Sequence, residues 1–184
     1  MDTTMIAVAV VVLVLIVLAV WAFTRNRRSE EMREHFGPEY ERTVQETGDP
    51  HKAERELARR QERVEALHIH PLTADEYRRY SQAWQGVQAK FVDDPSGAVK
   101  DADRLVNQVM QTRGYPIGDF EQRAADLSVE HPTFVSNYRQ AYDIAQANDH
   151  GRASTEDLRQ AMVNFRELFQ DLLQTDETTT EVRQ

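Results

Sequence analysis

The run from Met5 to Phe23 contains no charge, no glycine and no proline, whereas every later segment mixes apolar positions with charged ones. A helix over that run is about 28 Å long, close to the roughly 30 Å hydrocarbon thickness of a bilayer, so the pattern predicts a single transmembrane helix over 5–23. Trp21 and Phe23 close it at the depth where aromatic rings settle, and Arg25, Arg27 and Arg28 follow at once. The four residues before it carry no basic leader, and Val20-Trp21-Ala22-Phe23 stands where a small-x-small cleavage site would be. The anchor is therefore expected to be kept. Arginines on the C-terminal side alone predict an outside N-terminus, a cytoplasmic C-terminal domain and a single-pass plasma-membrane location. The run lacks a GxxxG motif, so close pairing through the span is not expected.

Beyond the run the apolar positions fall into helical periods. Residues 24–70 are charge-dense, with Gly37-Pro38 interrupting a first helical piece and Gly48 ending a second over Glu39–Glu46. Asp49 then caps a longer helix with Pro50 at its first position. Its thin stripe is Ala53, Leu57, Arg60, Val64 and Leu67, barely two heptads, which suits a charged helical stalk better than a coiled coil.

Residues 72–174 carry wider stripes and predict a compact helical bundle of about five helices. Thr73 and Glu76 form a capping box, with Leu72 and Tyr77 as a hydrophobic staple. The helix so started places Tyr77, Tyr80, Trp84, Val87 and Phe91 on one face. Asp94 and Pro95 start the next, whose face is Ala98, Ala102, Leu105, Val106, Val109 and Met110 and whose end is Arg113-Gly114. Asp119 caps a short helix carrying Phe120, Ala124 and Leu127, and a fourth from Pro132 buries Val135, Tyr138, Tyr142 and Ala145. Ser154 and Asp157 start the last, with Leu158, Ala161, Met162, Phe165, Leu168, Phe169 and Leu172 inward. No segment alternates as a half-buried strand does, so the fold class is all-α. The Thr- and Glu-rich residues 175–184 read as a disordered tail.

Charge and candidate chemistry narrow the function classes. From Ser29 onward 19 Lys and Arg stand against 30 Asp and Glu, and no basic patch lies outside the membrane rim, so nucleic acid is not an expected partner. With no cysteine in the chain, disulfides, thiolate metal sites and acylated cysteines are excluded. Glu65 and His68 have the Glu-x-x-His spacing of half a di-iron site, and His70 follows, but no second copy exists. Asp93, Asp94, Asp101 and Asp103 gather at a helix start, where the backbone dipole favours negative charge without a calcium ion. The turn from Arg113 through Tyr115 to Asp119 is the most distinctive loop: a candidate recognition surface, or a rigid turn closed by an Arg113–Asp119 pair. No phosphate-cradling loop, nucleophile elbow or zinc-protease motif is present, and no cofactor or small-molecule substrate is expected.

The segments Phe91-Val-Asp-Asp-Pro, Arg113-Gly-Tyr-Pro, Asp119-Phe-Glu-Gln-Arg-Ala-Ala-Asp-Leu-Ser and His131-Pro together resemble a group of uncharacterised bacterial proteins with one N-terminal membrane segment and this helical domain. The resemblance covers the C-terminal two-thirds, implies a bacterial envelope setting and carries no site residues. The expectation is a non-enzymatic, membrane-anchored interaction or scaffold module touching the bilayer and a protein partner. The alternative is a metal-binding sensor or enzyme built on Glu65, His68 and His70.

Overall fold

The computed structural model describes residues 29–174 and the positions 12, 13, 16 and 27. Among them the regular structure is all helical. Helical backbone at 29–36 is followed by α1 (Pro38–Thr47), α2 (Pro50–Glu65), α3 (Ala74–Asp93), α4 (Pro95–Arg113), α5 (Phe120–Glu130), α6 (Pro132–Asp149) and α7 (Thr155–Leu172). The all-α expectation holds, but the helices outnumber the five expected because the charged region before residue 66 contributes its own. The expected span lies outside the described residues except for Val12, Leu13 and Ile16, and the expected tail from Thr175 lies outside them altogether. Among the described residues no helix is long and apolar enough to cross a membrane.

The chain divides into two compact units, Met1–Leu57 and Ala58–Gln184, so the boundary falls inside α2. In the first unit the region expected to be a stalk doubles back. Gly37 and Gly48 sit at φ 48° and 67°, a left-handed backbone that only glycine adopts without strain, and each ends a helical segment. The turns let Ser29 donate to Glu54 Oε1 at 2.6 Å while the Tyr40 hydroxyl reaches the same oxygen at 3.3 Å. Met32, Phe36, Tyr40, Ala53 and Leu57 are buried.

The second unit is the bundle, and local end signals delimit its helices. Thr73 accepts from the Glu76 amide while Glu76 accepts from the Thr73 amide at 2.9 Å, and Ser154 and Asp157 repeat the arrangement at α7. Asp94 caps α4 through the Gly97 amide at 2.9 Å, and Asp119 caps α5 through the Gln122 amide at 2.8 Å. Helix α4 is central, packing on α3, α6 and α7, while α6 also packs on α5 and α7. Its Ala98, Val99, Ala102, Leu105, Val106, Val109 and Met110 are all buried, the two alanines allowing close approach. Trp84 of α3 stacks on Phe169 of α7 with ring centroids 4.6 Å apart, and Phe165 is fully buried. Both belong to the core cluster, as the helical periods indicate.

Tyr77 departs from its expected place: it is 44% exposed. Helices α3 and α4 run antiparallel, since Tyr80 meets Thr112 at 2.5 Å and Lys90 meets Asp101 at 2.7 Å. Tyr80 already reaches the last turn of α4, and Tyr77, one turn earlier, falls past its end.

Candidate functional site

The residues singled out from the sequence do not converge. Glu65 is the last residue of α2, and His68 and His70 lie in non-helical backbone after it, all three exposed. Glu65 and His68 therefore do not share a helical face, because α2 stops three residues short of His68. The stop is enforced from the far side. The His70 amide donates to the Arg113 carbonyl at 2.9 Å, and Gly114, at φ 101°, lies so near the His68 carbonyl that a Cβ there would sit 2.4 Å from its oxygen. Segment 68–70 is thus laid across the end of α4. Among the described residues no three His, Asp or Glu side chains are grouped to hold a metal.

The turn after α4 sends its aromatic inward while Pro116, Ile117 and Asp119 stay exposed. Tyr115 is buried, and its hydroxyl donates to Glu130 Oε2 at 2.7 Å. Burial and that neighbouring carboxylate push its pKa up. Arg113 donates through Nη1 to the Leu172 carbonyl at 3.1 Å, capping the end of α7, and Asp119 caps α5. Arg113 and Asp119 are thus each held by other partners. Ile117 is 82% exposed. Of the aspartates near the start of α4, Asp94 is the cap and Asp101 pairs with Lys90 and Arg104, each at 2.7 Å. The Lys90 hydrogen bond holds Asp101 below the usual carboxylate range despite some opposing desolvation. Asp103 is pushed the other way by burial, with Arg123 and Asn107 only partly offsetting it.

Three buried polar arrangements carry no sequence motif. Asp126 is fully buried in α5. Its Oδ1 accepts from Arg63 Nε and Nη2, each at 2.9 Å, and from Gln122 Nε2 at 2.8 Å, while Oδ2 has no partner. His131, between α5 and α6, is joined through Nδ1 to Asp171 of α7, which orients its ring. Its buried Nε2 has no hydrogen-bond partner and lies 3.9 Å from Glu130. Near Tyr138, Arg123 Nε is 3.5 Å and Asn107 Oδ1 is 3.4 Å from the phenol oxygen, and burial drives its pKa up to about 12. Each arrangement spans two or three helices and acts as a polar tie within the bundle. None of these residues lines the pocket on α3 and α7.

That pocket, of about 150 Å³, lies between two facing helical stripes. Trp84 and Phe91 on α3, with Met162 and Val163 on α7, make its apolar wall; Gln88, Arg159 and Arg166 are its polar members. Trp84 is 6% exposed, and its indole N–H is buried without an acceptor. Arg159 is held by Glu156, with Nε 2.9 Å from Oε2. Arg166 is exposed and makes no ion pair among the described residues. The sequence reading assigned Trp84, Phe91 and Met162 wholly to core stripes. The signal it passed over was Arg159 and Arg166, at i and i+7 on α7, flanking that stripe on one side.

No protein-family model, curated protein or solved structure matches this chain.

Proposed function

We propose that the chain is a membrane-anchored helical interaction module of the bacterial cell envelope, without catalytic activity of its own. Met5–Phe23 spans the bilayer, the one-sided arginines keep the bundle in the cytoplasm, and the bundle offers a surface to a protein partner. The described positions inside the run, Val12, Leu13 and Ile16, have helical backbone and exposed apolar side chains, which lipid would cover. The observation that carries the module reading is the division of labour in the bundle. Asp126, Tyr115 and His131 are tied to partners on other elements, whereas its pocket on α3 and α7 is walled by apolar side chains and edged by arginine. General acid–base work needs groups that change protonation near neutral pH, and the charged members of the pocket are two arginines.

Two experiments test the two halves. A C-terminal alkaline phosphatase fusion should be inactive, and the chain should stay with membranes at high pH; an active fusion contradicts the topology. Crosslinking in intact cells should give a discrete adduct with another protein. Recovery as a free monomer alone contradicts the module.

A further inference from the structure

We propose that the pocket on α3 and α7 is the docking point of an acidic segment of a partner protein, which inserts one large apolar side chain and lays a carboxylate against Arg166. This rests on the interaction-module reading and names its partner class.

Size is the first argument. At about 150 Å³ the space is well below the roughly 300–1,000 Å³ of small-molecule sites, but of the scale of a single anchor side chain. Trp84, Phe91, Met162 and Val163 give such an anchor an apolar lining. Electrostatics is the second. The chain carries a net charge of −9, yet α7 sets two arginines one turn on either side of Met162 and Val163, and Arg166 has no anion among the described residues. Arg159 is paired with Glu156, so Arg166 is the cation left for a partner, and it favours an acidic segment over a basic one. The indole of Trp84 lines the same space, so its N–H signal reports on whatever enters it.

Beside the groove, Phe91 is half-buried and Val92 is 81% exposed, so apolar surface continues from the pocket along the end of α3. An extended or helical segment would contact both, with its acids directed toward α7.

The test uses the full chain, labelled with ¹⁵N at tryptophan, in phosphatidylcholine nanodiscs. Trp84 gives one indole N–H signal and Trp21 serves as the internal reference. The probes are the acetylated, amidated pentapeptides Glu-Glu-Phe-Glu-Glu, Lys-Lys-Phe-Lys-Lys and Glu-Glu-Ala-Glu-Glu. The acidic phenylalanine peptide should shift the Trp84 signal with a Kd on the order of 1 mM, as expected of so small a ligand, while Trp21 stays still. The lysine and alanine peptides should bind at least about tenfold more weakly. Arg166→Glu, an exposed change that leaves the free Trp84 signal in place, should abolish the acidic peptide's effect. A Trp84 signal unmoved by the acidic peptide, or moved equally by the lysine peptide, overturns the proposal. If adducts still form in cells, such a result leaves the module reading standing with its partner on another face.

Discussion

Arg63 sits in the last turn of α2, 63 residues before the carboxylate it neutralises, and Arg63→Ala tests whether that tie holds the bundle together. Asp126 is fully buried, with three donors on Oδ1 and none on Oδ2, and two of the three come from Arg63. Removing the guanidinium leaves a buried carboxylate with one amide donor. Stranding a buried charge costs about 3–5 kcal/mol. The Arg63 side chain is 38% exposed, so water can take part of its place, and the expected loss falls to about 2–3 kcal/mol. For a unit of this size that lowers Tm by roughly 8–12 °C, followed by far-UV circular dichroism. Adding Asp126→Asn to Arg63→Ala removes the stranded charge and should restore at least about half of the loss, a coupling that distant, independent sites do not show. The reasoning is refuted if Arg63→Ala melts within about 2 °C of the parent, or if the second change adds to the damage instead of relieving it.

Three further changes probe other parts of the bundle. Trp84→Ala and Phe165→Ala should each cost about 3–5 kcal/mol in urea unfolding, since both side chains are buried in the core and leave cavities. Gly114→Ala should cost about 2–3 kcal/mol, combining positive φ with a Cβ driven onto the His68 carbonyl, and amide exchange at His70 should quicken as segment 68–70 lifts. Because burial holds the Asp103 carboxyl above its usual range, the folded chain keeps this proton to higher pH than the unfolded one. Stability then falls as pH rises above about 4, where the unfolded carboxyl ionises, so Asp103→Asn should match the parent near pH 3 and gain on it toward pH 7 in parallel melts.

The ends and faces of the bundle helices were legible because their causes are local. A capping box or an Asp-Pro start involves residues three apart, and a stripe such as Leu158 to Leu172 repeats with the helix itself. Tyr77 shows the limit of that argument: periodicity says which way a side chain points, not whether the neighbouring helix extends far enough to cover it. Polar ties were not legible, because Arg63 and Asp126, or His131 and Asp171, become partners only once helices distant in sequence are packed. For the same reason the sequence could not show that Glu65 and His68 share no helical face: that face required α2 to continue through a segment that a backbone contact to Arg113 holds non-helical. Tyr115 read as a loop aromatic, and only its bond to Glu130 explains why a turn residue is buried. Of the pocket, the residue types were visible and the space between them was not.

The central claim is that the tethered bundle holds another protein through its arginine-edged face. The most direct measurement is photocrosslinking in intact cells, with benzoylphenylalanine replacing Gln88 in the full-length chain and, separately, replacing the exposed Ser136 on α6. The Gln88 chain should give a discrete adduct heavier than the 21.3 kDa chain, the same partner should be identified in each preparation, and Arg166→Glu should remove it. An uncrosslinked Gln88 chain, or an equal adduct from the Ser136 chain, would contradict the account.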